Sequence, residues 1–230
     1  MFGSTLEFLR AELQRLDLLL HREILRLQAI YRLSLDEFRG LYISDQQVDL
    51  LVRKMTEDAG SPAGADLTSH AAQLRERNYA ALPNTSAWLS LAGTFQLSEF
   101  EQDVLLLALA PEIDLKYETL YAYLHNDVTR KLPTCDLALR LFCCSHEIIR
   151  ARRRLVSDAT LFRDGLLQAT PDQRSRLLGL EFSIAPAVTR CVLDLDTAER
   201  VMPPDWEAIC LPASLIKCAS PWPKTWVQAI

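Results

Sequence analysis

LSEFEQDVLLLALAPEIDLKYETLYAYLHNDVTRKLPTCDLALRLFC, residues 97–143, holds the strongest helix signals and the longest apolar run in the chain. Ser98 followed three residues later by Glu101 forms a capping box, in which each side chain accepts from a backbone N–H that the first helical turn leaves unpaired. A helix starts there. Val104, Leu105, Leu106, Leu107 and Leu109 leave no polar stripe around it, the pattern of a helix buried on most sides. This segment is the expected core.

Working forward, Pro111 lacks the N–H a helix needs, so the reading ends the first helix there. Asp114 is placed to cap a second helix that carries Tyr117, Leu120, Tyr121 and Leu124 at three- and four-residue spacing. After a polar turn, Thr134 caps a third with Leu137, Leu139, Leu141 and Phe142, while Asp136 in its first turn suits the positive end of the helix dipole.

With those residues in view, the run from 97 to 143 resembles the N-terminal winged-helix region of a bacterial group of AAA ATPases, some encoded beside contractile injection systems. FRGLYISDQQVDLL, residues 38–51, resembles the segment that precedes that region in the same proteins. The match runs in order over about residues 38–195, and its most specific part is APEIDLKYETLYAYLHNDVTRKLPT. It implies a winged-helix fold and a place beside an ATPase core; it brings no catalytic group.

The sequence beyond this stretch fits that frame. The chain has 230 residues, 49% of them apolar, with 7 Gly and 11 Pro, which describes a packed, mainly helical protein. Its net charge of −5 gives no general pull toward nucleic acid. No apolar run is long enough to span a bilayer and no charged segment precedes an apolar one at the start, so the expectation is a cytoplasmic protein without membrane contact. Six cysteines show no repeated spacing and are expected to be reduced. Cys143, Cys144 and His146 invite a metal reading, but without a second pair of ligands they read as small apolar residues.

At the N-terminus Ser4 and Glu7 make another capping box, opening a helix that should run to about Arg32. Leu6, Leu9, Leu13, Leu16, Leu20, Leu27 and Ile30 fall on heptad positions, interrupted by Glu23, and Glu7/Arg10, Glu12/Arg15 and Glu23/Arg26 are spaced to pair. Two outcomes are open for this leucine seam. The helix either folds back on its own domain or offers the seam to another subunit as a coiled-coil or bundle contact. Ser34 with Glu37 and Ser44 with Gln47 repeat the capping signature, and Gly40 supplies a turn between them. DAGSPAGAD around residues 58–66 is small and polar, so the chain divides as 1–58, a linker at 59–66, a helical and winged-helix domain at 67–195, and a tail at 196–230. Residues 67–97 should hold two helices, the second starting near Asn84 to Ser86 with Trp88 as a core anchor.

Downstream, GLLQA at 165–169 reads as a strand, TPDQRS at 170–175 as a turn, and Leu178, Leu180 and Phe182 as a second, alternating strand. Ser183 is placed to cap a closing helix that tolerates Pro186 in its first turn. Helix, strand, turn, strand is the order of a winged helix with a short β-hairpin wing. Over residues 140–176 eight arginines face four carboxylates, and Arg150, Arg152, Arg153 and Arg154 are the densest part. That cluster has three open readings, as a DNA contact, as a dock for an acidic protein, or as a solvated face.

Enzyme motifs are missing. There is no G-x-x-x-x-G-K-[ST], no G-x-S-x-G and no H-E-x-x-H, and four scattered histidines make no ligand set. Glu112 and Asp114 follow an apolar run but belong to a helix end. The tail combines Pro203, Pro204, Pro212, Pro221 and Pro223 with Trp206, Trp222 and Trp226, which suits an extended segment held by aromatic anchors. The sequence therefore reads as a mainly α protein, a helical domain with a winged-helix-like unit and a long N-terminal amphipathic helix. It needs no cofactor and no metal, and works by docking to a protein such as an AAA ATPase core or its client, with self-association through the seam. A DNA-binding regulator and a truncated ATPase are the alternatives.

Overall fold

In the computed structural model the described residues are 2–33, 67–144, 146–170, 176–193 and 195. The expected helices after Ser34 and Ser44, the linker at 59–66, the turn at 171–175 and the Trp-bearing tail lie outside them. Among the described residues the elements in chain order are α1 (Thr5–Leu33), α2 (Leu67–Ala81), α3 (Ala87–Thr94), α4 (Glu99–Ile113), α5 (Lys116–His125), α6 (Cys135–Phe142), α7 (Ile148–Arg152), α8 (Thr160–Arg163), β1 (Leu167–Ala169), β2 (Phe182–Ile184) and α9 (Pro186–Leu193).

The capping signals at Ser98 and Thr134 are met. Ser98 Oγ accepts from the Glu101 N–H, and the Glu101 carboxylate accepts from the Ser98 N–H at 2.9 Å, closing the box in both directions. Thr134 caps α6 by accepting from the Leu137 N–H at 3.1 Å, and Ser86 caps α3 through the Leu89 N–H. At the start of α1, Ser4 accepts from the Glu7 N–H, but the Glu7 carboxylate turns to the Gly3 N–H at 2.7 Å. The box is displaced by one residue on one side.

Four expectations are corrected. Pro111 does not end α4, which continues to Ile113. A proline there removes the donor that the Leu107 carbonyl would receive. Tyr121 replaces it, its buried hydroxyl donating to the Leu107 oxygen at 2.8 Å, so the carbonyl stays paired. Asp114 is the C-cap of α4, while its side chain accepts from the Lys116 N–H at 2.9 Å across the turn into α5. The second wing strand spans only Phe182–Ile184, because residues 177–179 form a single 3-10 turn. Ser183 lies in that strand opposite Gln168, so it cannot cap α9; Pro186 opens that helix directly.

We expect Tyr121→Phe to lower stability by about 1–3 kcal/mol, because the Leu107 carbonyl would be buried without a donor. Chemical denaturation measures this, and an unchanged midpoint would contradict the pairing.

Antiparallel pairing of β1 with β2 sets Leu167 opposite Ile184 and Ala169 opposite Phe182. A single bridge between Thr134 and Glu181 ties the hairpin to the start of α6, with the Phe182 N–H donating to the Pro133 carbonyl at 3.1 Å. Leu167, Phe182 and Ile184 point into the same core as α4. That core also holds Trp88, whose indole N–H donates to the Tyr79 hydroxyl at 3.1 Å, so Trp88 is the anchor expected of it.

α1 is part of this core. It packs against α2, α4, α5, α6 and α9, and Phe8, Leu9, Leu13, Leu16, Leu18, Leu19, Leu20 and Ile24 are buried. Helix α1 therefore contributes a central strut to the core formed with residues 67–193.

Candidate interaction surface

The sequence nominates two surfaces, and the fold treats them differently. In the leucine seam, Leu9, Leu13, Leu16 and Leu20 are buried within this chain's own core. Of the two outcomes left open, the helix folding back on its domain is the one observed. The expectation that these four leucines meet another subunit is corrected, because no apolar face remains there to offer. Leu6 stays 36% exposed and Leu27 is half-buried at the edge of the core; the Ile30 side chain lies outside the described residues.

The physical reason lies in charges whose partners are far off in sequence. Glu12, Arg15, Asp17 and Glu23 are all buried, and each is satisfied. Arg15 bonds Glu12 at 2.8 Å and Asp103 at 2.5 Å; Asp103 also accepts from Arg75, and Glu12 accepts from the Asn78 amide at 2.9 Å. Burial opposes the Arg15 charge, but Asp103 and Glu12 outweigh it and hold the guanidinium pKa above its ordinary value. Asp17 accepts from Lys116 at 2.9 Å and from the Tyr117 hydroxyl at 2.8 Å, and burial pushes its pKa up despite the lysine. Glu23 takes Arg26 at 2.7 Å and Arg140 at 2.5 Å. Arg22 donates to the Leu141 carbonyl at 2.8 Å, meeting an acceptor that the end of α6 would leave open. With its polar face paired, α1 can be enclosed.

The arginine cluster sits on α7. Ile148 packs toward the core while Ala151 and Leu155 are buried, so the helix has a fixed inner side. Ile149 is 71% exposed, and Arg150, Arg152 and Arg153 are exposed around it. Among the described residues these three arginines form no ion pair. Arg154 differs: its guanidinium donates to Glu101 at 2.7 Å, the same carboxylate oxygen that accepts from the Ser98 backbone and hydroxyl. It fastens α7 to the start of α4 and leaves the candidate surface to its neighbours. Arg140 is engaged by Glu23 and Asp136, carboxylates outside the 140–176 stretch, so Arg140 and Arg154 together take two charges from the positive excess counted in the sequence.

A pocket of about 340 Å³ lies between the end of α5, α6 and residues 178–179, lined by His125, Arg130, Thr134 and Arg140. Its cations are already used. Arg130 donates to Glu181 at 2.6 Å and to the Gly179 carbonyl at 2.8 Å, pinning the wing to the turn after α5. His125 joins the same corner, with Nδ1 at 3.2 Å from the Arg130 carbonyl and Nε2 at 3.1 Å from Thr134 Oγ1. A carbonyl can only accept, so Nδ1 carries the proton; the Thr134 hydroxyl hydrogen is free for Nε2. The neutral ring fits.

Burial, with the nearby charges of Arg130 and Arg140, holds the His125 pKa below its ordinary value, against the pull of the Arg130 carbonyl. The unfolded imidazole takes a proton near about pH 6.5, so below that the unfolded state binds more protons than the fold. Stability is therefore expected to fall as pH drops from neutrality through that value and on toward the lower native pKa. His21, also depressed by burial, adds in the same direction. Urea midpoints on either side of about pH 6.5 measure this; His125→Gln should shrink the difference, and an unchanged difference would contradict the assignment.

Cys135, Cys143 and Cys144 are free thiols. Burial pushes the Cys135 thiol up to about 12 and Cys143 to about 11, which leaves both as unreactive apolar groups at neutral pH. Among the described residues no group of His, Cys, Asp and Glu could hold a metal ion, and no helix is long and apolar enough to cross a membrane.

Compared with known proteins, residues 1–203 match the family model of a winged helix domain, variant. No curated protein and no solved structure matches the chain. The match begins at the first residue, in keeping with the enclosure of α1 by the winged-helix core.

Proposed function

The chain belongs to the variant winged-helix domain family, and on that premise we propose that it is a non-catalytic docking module that binds protein and does not read DNA. One observation carries this reading. In a helix-turn-helix reader the second helix lies in the major groove. Here the stretch between α6 and the first wing strand is split into α7, five residues long, and α8, four residues long, with 153–159 between them. Five residues of helix rise only about 7.5 Å, less than one and a half turns, so at most one or two side chains would face base edges. Ile149 on α7 is exposed beside exposed arginines, and arginine is a residue type enriched at protein interfaces.

The resemblance of residues 97–143 to the N-terminal region of AAA ATPases supports naming the partner as an ATPase core or its client. Cytoplasmic location and a bacterial source belong to the same proposal. So does the absence of an active site.

In-cell cross-linking followed by mass spectrometry tests it. The expected result is recovery of a P-loop ATPase or its client, lost in an Ile149→Asp/Arg152→Glu/Arg153→Glu variant. Tight binding to duplex DNA that weakens steeply with salt and disappears in the same variant would overturn it.

A further inference from the structure

We propose that the outer face of α7 is a docking site for an acidic segment of a partner protein that carries an apolar side chain, with Ile149 as the apolar contact and Arg150, Arg152 and Arg153 as the carboxylate contacts. This deepens the protein-docking reading and rests on it.

The face is built and held. Ala151 and Leu155 are buried, Ile148 packs on the core, and the Arg154 guanidinium reaches the Glu101 carboxylate at 2.7 Å. Backbone bonds continue the support, with the Ala151 N–H donating to the Glu147 carbonyl at 3.0 Å and the Leu155 N–H to the Arg152 carbonyl at 3.1 Å. A partner would meet a surface that is already ordered, which lowers the entropy lost on binding.

Helical spacing of three and four residues sets Arg152 and Arg153 beside Ile149, and Arg150 is three residues from Arg153. An exposed isoleucine is thus bordered by three guanidiniums that make no ion pair among the described residues. Guanidinium groups present a planar fork that matches carboxylates and desolvate more readily than ammonium groups, so arginine beside an apolar anchor favours an interface over a solvated face. The occupant must supply carboxylates and one apolar group. Duplex DNA supplies the charge but would set a row of phosphates against Ile149. The acidic partner matches both features.

Fluorescence anisotropy with the full chain at about 50 mM salt provides the test. The probes are a labelled peptide of four Glu-Glu-Leu repeats, one of four Glu-Glu-Ser repeats, and a labelled DNA duplex. The leucine peptide should bind, and the serine peptide more weakly. Ile149→Asp and Arg152→Glu/Arg153→Glu should each weaken the leucine peptide by about tenfold or more. All four side chains are exposed, so thermal unfolding of the variants should match the parent; Ile149→Ser, which adds no charge, should erase the difference between the two peptides. Equal affinity of parent and variants for the leucine peptide would overturn the site, while leaving the docking reading to the cross-linking result. Duplex binding stronger than peptide binding, and lost in the arginine variant, would overturn both.

Discussion

Replacing Leu16 with alanine is expected to cost the fold about 2–5 kcal/mol, the range for removing a fully buried leucine from a packed core. Leu16 has no exposed surface and lies on the part of α1 where residues 15–20 are all buried. It belongs to the core cluster, and α1 packs against α4, α5 and α6, so a space left in that core is not closed by moving one element. Leu6→Ala is the internal comparison. That residue is 36% exposed at the edge of the same seam and should cost no more than about 0.5 kcal/mol. Urea unfolding of the dilute protein reads both. A Leu16→Ala midpoint equal to the parent's would mean that α1 stands apart from the core.

The second large effect is expected at Asp103. Its carboxylate accepts from Arg15 and Arg75, and the Arg15 side chain is only 4% exposed. Asp103→Ala leaves that guanidinium in the interior with Glu12 as its single counter-charge, and breaking a buried pair on one side costs about 3–5 kcal/mol. Arg75 loses less, since it also stacks on the Tyr79 ring at 4.7 Å. The triple variant Glu12→Gln/Arg15→Met/Asp103→Ala should recover part of the loss, because it removes the buried charges together and leaves none of the three without its partner. If the single variant were as stable as the parent, the network would be ornamental and the enclosure of α1 would need another cause.

These two sites mark where the sequence could be read and where it could not. Caps at Ser98 and Thr134 were legible because donor and acceptor are three residues apart. The fully apolar run from Val104 to Ala110 was legible because no arrangement but burial suits it. Glu12, Arg15, Asp17 and Glu23 looked like the solvated face of an amphipathic helix, since their partners Asn78, Asp103, Lys116 and Arg140 lie roughly 65–120 residues away. Only the tertiary fold brings those groups together. Pro111 is the same lesson in the backbone: its tolerance depends on Tyr121 returning to the Leu107 carbonyl, which no local rule contains.

The candidate surface was half legible. Four arginines between 150 and 154 were evident, and the exposed three flank Ile149, whose importance came only from its position on the outer side of α7. Arg154 was indistinguishable from its neighbours in sequence. The structure separates it because Glu101, having closed a capping box, still has capacity for a third donor.

Amide hydrogen exchange along α1, followed at two protein concentrations in solution, tests the account most directly. Enclosure of the helix within its own chain predicts that amides across residues 8–24 exchange only by global unfolding, at a rate that does not change with concentration. Rapid exchange there would show that the helix is not enclosed, and protection that grows as the protein is concentrated would show that a second copy covers its leucines; either contradicts enclosure within one chain.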